Sequence, residues 1–298
     1  MAKQKVAILG GDQRQLVLGE VLVRAGYQVT AWGCAAEERK EGIVLCESWQ
    51  EAVETADAVV LPLPASMDGV RLNCPSLGED RMLRMTALLD GISGKLLLGG
   101  KLGEGIRSIA EQKGIFVIDY YESELLQWKN ALPTAEGAIF CAMQQLPVTI
   151  DGLSAGIVGY GRIGRLLGRK LAALGAEVTV YARDPLQLTW AQLEHHRTVS
   201  LKKTPTLMIP REMRVLFNTV PYPLFTQTVL EGISKQCLLI DLASPPGGFD
   251  RQAAGKLGHH LIWATALPGK YAPESAGIFL GETVKQILED YDAAAPSN

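Results

Sequence analysis

Short, wholly apolar runs alternate along this chain with stretches in which apolar residues recur every three or four positions. The first pattern reads as buried strands and the second as helices. Lys5–Leu9 (KVAIL) is a predicted strand, followed by Gly10-Gly11-Asp12 and a helix through Gln15, Leu16, Leu18, Val21, Leu22 and Val23. Gly26 ends that helix, where a left-handed cap favours glycine, and Tyr27–Trp32 is the next strand. Ala58–Leu61, Leu96–Leu98 and Ile115–Ile118 continue the strand series, with a helix over 104–113. Residues 65–80 read as irregular and flexible. Tyr120–Leu146 is a long helical region expected to break near Pro133, because proline lacks the amide hydrogen a helix needs. Residues 130–137, at that break, are expected to form the hinge between two domains.

The second half repeats the alternation. Ile157 and Val158 end an apolar run, and Ile163, Leu166, Leu167, Leu171 and Leu174 then follow at helical spacing on one stripe. Gly175 closes that helix and Glu177–Tyr181 is the next strand. Asp184–His196 reads as a helix, and Thr198–Leu201, Val215–Val220, Leu238–Ala243 and Leu261–Ala264 as strands. Residues 267–273 read as a loop. Glu274–Tyr291 is a final helix with Ile278, Val284, Ile287 and Leu288 as core candidates, expected to return to the N-terminal domain, and residues 293–298 as a frayed tail.

Strands alternating with helices imply an α/β fold with parallel sheets. At 298 residues, two domains of about 150 each are expected. The expected architecture is two Rossmann-like, doubly wound parallel-sheet domains with a cleft between them. Residues 1–130 plus 275–298 form a flavodoxin- or Rossmann-like substrate domain, and residues 131–274 the dinucleotide-binding Rossmann domain. The 47% hydrophobic content supports sizeable cores. A net charge of −3 with no basic run argues against nucleic acid as a main partner. No apolar run approaches the ~18 residues of a membrane span, so no membrane partner is expected. The chain runs straight from Met1 into a strand, so no secretory signal is expected. The five cysteines are scattered and odd in number, as reduced thiols would be. Neither histidine pair, His195-His196 or His259-His260, has metal-ligand spacing, so no metal is expected.

The chemistry concentrates in residues 159–164 (GYGRIG), at a strand-to-helix turn inside a strand–helix–strand unit. Gly159 permits the tight turn, Gly161 lets the backbone approach a pyrophosphate, and Gly164 lets the helix pack on the strand. The first helical residues, Arg162 and Ile163, then offer free N–H groups and the positive end of the helix dipole to the anion. An acidic residue that grips an adenosine ribose should follow about twenty residues on. The second strand ends Ala182-Arg183-Asp184 instead. An arginine at that tip suits a 2′-phosphate, because its planar fork donates several hydrogen bonds to oxyanions, so NADP is the expected cofactor. A register one residue away leaves Asp184 as a ribose ligand. Thr219, Val220 and Pro221, and Asp241, Leu242 and Ala243, sit at later strand tips, where backbone groups face the nicotinamide half.

The opening turn lacks G-x-G-x-x-G and reads Gly10-Gly11-Asp12-Gln13-Arg14, so the first domain is not expected to bind the cofactor. Arg14 is a candidate anion holder there, with a solvated surface arginine as the alternative. Lys101 follows a strand end and faces the expected cleft.

Six segments together carry a resemblance: 8–15 (ILGGDQRQ), 130–139 (NALPTAEGAI), 159–164 (GYGRIG), 218–221 (NTVP), 240–248 (IDLASPPGG) and 267–273 (LPGKYAP). The chain resembles, over nearly its whole length, the family of dipicolinate synthase A subunits of spore-forming bacteria. The GYGRIG segment alone does not separate that family from the 2-hydroxyacid dehydrogenases. The resemblance implies an NADP-linked oxidation of dihydrodipicolinate to dipicolinate during sporulation, in the mother-cell cytoplasm. The partner it implies is the flavoprotein-like B subunit of dipicolinate synthase. A homo-oligomer is compatible with the sequence. A cyclic dicarboxylate needs cationic donors, and Arg14, Lys101 and Lys270 are the candidate set. Thr134 and Glu136 would border the cleft, with Glu136 as the candidate base for a ring proton. Two alternatives stay open. A 2-hydroxyacid dehydrogenase would need a cleft arginine after the penultimate strand and a histidine near the C-terminus, and neither stands there. A non-catalytic, cofactor-binding protein would leave the chemistry to its partner.

Overall fold

The computed structural model describes residues 4–34, 40–78, 81–202 and 207–294. Two compact units divide the chain: Met1–Asn130 with Ala272–Asn298, and Ala131–Tyr271.

The first unit runs β1 (Lys5–Leu9), α1 (Gln13–Arg24), β2 (Gln28–Trp32), β3 (Ile43–Leu45), α2 (Trp49–Glu54), β4 (Ala58–Val60), α3 (Met85–Gly91), β5 (Leu96–Gly99), α4 (Glu104–Gln112) and β6 (Phe116–Asp119). A 3₁₀ turn at Tyr120–Glu122 leads into α5 (Glu124–Gln145), which crosses the boundary between units. The second unit continues with β7 (Ser154–Val158), α6 (Arg162–Ala173), β8 (Glu177–Ala182), α7 (Pro185–Leu193), β9 (Arg197–Ser200), β10 (Val215–Asn218), α8 (Gln227–Glu231), β11 (Leu238–Asp241), α9 (Arg251–Lys256), β12 (Leu261–Trp263) and α10 (Leu267–Tyr271). The last helix, α11 (Pro273–Ala294), belongs to the first unit.

Each unit holds one six-stranded parallel sheet. The strand orders are β3-β2-β1-β4-β5-β6 and β12-β11-β10-β7-β8-β9. Both are the doubly wound order in which chain direction across the sheet reverses between the first and fourth strands, at β1/β4 and at β7/β10. A crevice opens beyond the strand C-termini at such a reversal. The expected α/β fold class holds. The apolar runs are runs because both sheet faces are covered. Val6, Ala7, Ile8 and Leu9 are fully buried, as are Ala155, Ile157 and Val158. In α11, Leu280, Val284 and Leu288 repeat every four residues into the core. Gly277 and Gly281 sit between them; a Cβ on either would stand within 2.7 Å of the Cβ of Val17 or Val21 on α1. Ile287 packs at the margin of that core.

Three expectations are corrected. The helix does not break at Pro133, so residues 130–137 are helical rather than a loop hinge. A proline removes one hydrogen bond, and burial of Ala135, Ala138 and Ala142 in the second unit's core holds the helix across that gap. Residues 267–271 form α10, not a loop: Leu267 and Pro268 are buried, and proline at a helix start loses no bond the helix would otherwise make. Leu174 does not share the buried stripe of α6. It is the C-cap and 47% exposed. Within residues 65–78 the regular pairing is a single bridge, Arg71 with Arg84. Residues 79–80 of that stretch, 1–3 at the start and 295–298 of the expected tail lie outside the described residues.

Candidate functional site

The glycine turn of the second unit follows β7. Gly159 has φ +86°, a left-handed conformation that favours glycine, and its N–H donates to the Tyr181 carbonyl at 2.8 Å. A Cβ there would meet Thr219 and Val220, and one on Gly164 would collide with the Gly159 carbonyl. Gly161 differs. It is the N-cap of α6, no side chain caps the helix, and a Cβ at Gly161 would meet nothing within 4 Å. The first amide hydrogens of α6, at Arg162 and Ile163, therefore have no capping side chain, and the helix dipole stands behind them. The buried Arg162 Nε has no hydrogen-bond partner among the described residues either. Small backbone, open volume and unmatched donors fit a dinucleotide's pyrophosphate.

A packed network fixes the turn from behind. The Tyr160 hydroxyl donates to Glu194 at 2.6 Å, and Arg165 Nε donates to the same carboxylate at 2.8 Å. The Arg165 guanidinium lies 4.0 Å from the Trp190 ring centre. Burial raises the Glu194 pKa less than the bonds from Tyr160 and Arg165 lower it, so the carboxyl sits below its ordinary value. Burial and the Glu194 bond push the Tyr160 hydroxyl up. The N–H of Tyr160 donates to Gln187 Oε1 on α7 at 2.9 Å.

Beside the turn lies a cavity of about 240 Å³. Gly159, Arg183, Asp184, Gln187, Val220 and Tyr222 are among its lining residues. Arg183 stands just past the end of β8, exposed. Asp184 caps α7, accepting from the Leu186 N–H at 2.9 Å, so one of its oxygens is already engaged.

The later strand tips divide. Thr219 donates its hydroxyl to the Val158 carbonyl at 3.0 Å and braces the start of the turn. Pro221 is exposed and Val220 lines the cavity. Asp241 is 2% exposed and both its oxygens are taken, by Asn218 Nδ2 and the Ala243 N–H on one side and the Gly248 N–H at 2.8 Å on the other. Leu242 and Ala243 are buried, and their N–H groups are spent on Asn218 and Asp241. These three residues pin β10, β11 and the 244–248 loop together. The spacing of Asn218, Asp241 and Gly248 carried no signal of that network.

The glycine turn of the first unit follows β1. Gly10 and Gly11 have φ +71° and +89°. Asp12 caps α1, accepting from the Arg14 N–H at 3.1 Å. Arg14 closes on it through Nε at 2.8 Å and Nη2 at 2.9 Å, and Nη2 also donates to the Leu63 carbonyl at 2.8 Å. At 7% exposure Arg14 is no solvated surface arginine. The N–H groups on Nη1 have no acceptor among the described residues. Next to it, Gln15 is 1% exposed and neither atom of its amide has a hydrogen-bond partner among the described residues. Its side chain lies against Gly11 and near Pro62, beyond the ends of β1 and β4. A buried amide without partners is costly, and this residue escaped the sequence reading because glutamine at a helix start carries no pattern.

Lys101 follows β5 at φ +53°, its N–H bonded to Asp119 at 3.0 Å and its ammonium 5.0 Å from the Tyr121 ring. In the second unit Lys270 lies exposed on α10, its ammonium without an acceptor among the described residues. Glu136, on α5, is ion-paired with Lys170 at 2.8 Å and 55% exposed, which gives it no feature of a base set aside for a ring proton. Thr134 is buried. Among the described residues no cluster of three His, Cys, Asp or Glu side chains stands where a metal could be held. No helix among them is long and apolar enough to cross a membrane.

Residues 5–121 match the family model for the N-terminal domain of the dipicolinate synthase A subunit. Residues 115–243 match that of the D-isomer specific 2-hydroxyacid dehydrogenase, NAD binding domain. Fold, glycine turn and the second match define the class: an oxidoreductase built on a dehydrogenase-type domain that takes a nicotinamide dinucleotide. Within that class the resemblance read from the motifs holds, and the chain is a relative of the dipicolinate synthase A subunit. The A subunit of Bacillus subtilis (strain 168) is 29% identical over 290 residues, 97% of each chain. Crystal structures of the dipicolinate synthase A subunit from Bacillus halodurans and of the corresponding protein from Bacillus subtilis each align with TM-score 0.83 at 27% identity. They cover 98% and 99% of both chains, respectively.

Proposed function

We propose that this protein oxidises dihydrodipicolinate to dipicolinate with NADP as hydride acceptor. The observation that carries the reading is the uncapped start of α6 facing open space at Gly161, with Arg183 at the adjoining cavity. The whole-length likeness to the dipicolinate synthase A subunit supports the choice of substrate. The Arg162 and Ile163 amides bind the pyrophosphate, and Arg183 binds the 2′-phosphate. When bound, the cofactor supplies a hydride acceptor at its nicotinamide. The oxidation removes a hydride, which the bound cofactor would take up, and a proton, which would pass to solvent water, and the substrate gains an aromatic ring. That gain assists the step, so the protein's task is orientation and charge. In the first unit Arg14, through Nη1, and Lys101 are the donors assigned to a substrate carboxylate, and the Gln15 amide adds one donor and one acceptor. A sporulation role and a flavoprotein-like B subunit follow from the resemblance.

The match of residues 115–243 keeps a 2-hydroxyacid dehydrogenase in view. Against it, β11 ends at Asp241 and is followed by Leu242-Ala243-Ser244 without an arginine, and the segment after β12 carries Lys270 where a histidine is needed. The test is to mix the full-length protein with NADP and enzymatically generated dihydrodipicolinate. A joint rise of NADPH and pyridine absorbance from this chain alone is expected. A rise only when the second protein is supplied assigns the chemistry elsewhere, and turnover of 2-hydroxy acids instead overturns the reading.

A further inference from the structure

The side chain that bridges the glycine turn and the neighbouring cavity is an amide, and its orientation is fixed. A backbone N–H can only donate, so the Gln187 atom 2.9 Å from the Tyr160 nitrogen is the carbonyl oxygen. The other end of the amide, Nε2, is therefore a pure donor, and it has no acceptor among the described residues. Gln187 lines the same cavity as Arg183 and Asp184. One oxygen of Asp184 is committed to capping α7. A carboxylate at residue 187 would accept both the Tyr160 N–H and a ribose hydroxyl. The amide accepts the first and can only donate to whatever enters the cavity.

We infer that Gln187 is a specificity-determining residue that reads the 2′-phosphate of NADP, together with Arg183. The inference rests on the NADP reading above. A donor beside an oxyanion makes a charge-assisted bond, stronger than the one it makes to a hydroxyl, so the amide favours the phosphorylated ribose. Because the same side chain holds the Tyr160 N–H, a ligand that fixes Nε2 also fixes the turn that receives the pyrophosphate.

The test is Gln187→Glu in the full-length protein, with NADPH and NADH titrated separately and thermal unfolding as the control. Glutamate keeps the acceptor for Tyr160 and replaces the donor with a charge. The ratio Kd(NADPH)/Kd(NADH) is expected to move toward NADH by about tenfold or more at unchanged Tm. Gln187→Leu, which removes the brace on the turn, is expected to weaken both cofactors. A wild-type protein that prefers NADPH and a Gln187→Glu variant with the same ratio would overturn the Gln187 assignment while sparing Arg183. Equal weakening of both cofactors by Gln187→Glu would also overturn it, reducing the residue to a brace. A wild-type protein that binds NADH at least as tightly as NADPH removes the NADP reading, and the inference with it.

Discussion

At the end of β1 the turn Gly10–Asp12 closes on itself, whereas at the end of β7 the turn Gly159–Gly161 stays open. Both stand at the first strand of a parallel sheet with the same strand order, and each leads into a helix of 12 residues. In the first, Asp12 caps α1 and Arg14 neutralises Asp12, so the place an external anion would take is filled by the protein's own carboxylate. In the second, the cap is Gly161, with no side chain and nothing near. Topology alone does not make a phosphate site. What makes one is leaving the helix's first amide hydrogens unspent.

The largest expected effect comes from converting the open turn into the closed one. Gly161 has φ −77° with extended ψ, a conformation any cap residue adopts, so Gly161→Asp should fold. It should keep or slightly raise Tm while weakening nicotinamide-cofactor binding by about a hundredfold or more, because a carboxylate now sits where the phosphates go. Binding that survives in a well-folded Gly161→Asp protein breaks the comparison.

The reverse change, Asp12→Ala, strips the cap from α1 and leaves the largely buried Arg14 unpaired. A loss of about 2–4 kcal/mol is expected in denaturant unfolding, with cofactor Kd unchanged. A measurable fall in cofactor affinity would mean the first turn is not the closed one.

Arg183→Ala sharpens the open side. Removing its charge-assisted bonds should cost about 10- to 100-fold in NADPH affinity and little in NADH affinity. Equal losses would deny it the 2′-phosphate.

The smallest effect concerns the network behind the open turn. The folded pKa of Glu194 is depressed, so its contribution is present above the unfolded value of about 4.3 and is lost as pH falls through the lower folded value. Glu194→Gln should therefore flatten the acid side of the stability–pH curve by less than about 1 kcal/mol. An unchanged acid limb contradicts the assignment.

Much of this was legible in the residues. Continuous apolar runs such as VAIL and LLI mark strands buried on both faces, and G-x-G-x-x-G between a strand and a helical stripe marks the turn. The place of Arg183 just past the end of β8 was legible because its distance from the glycines is set by geometry: strand, turn, helix and strand have fixed lengths. Illegible were features that depend on partners distant in sequence. Nothing local says that Gln187 reaches Tyr160, that Asp241 is consumed by Asn218 and Gly248, or that Gln15 is buried without a partner. Pro133 misled because local propensity predicts a break that packing of Ala135, Ala138 and Ala142 overrides.

The central claim, that the Gly159–Gly164 turn receives a dinucleotide, is tested most directly by titrating the wild-type protein and Gly161→Asp with NADPH in parallel by calorimetry. The account predicts saturable one-site binding to the wild type and binding weaker by about a hundredfold or more to the variant, whose Tm is kept or slightly raised. No binding by the wild type, or the same Kd for both proteins, would contradict it.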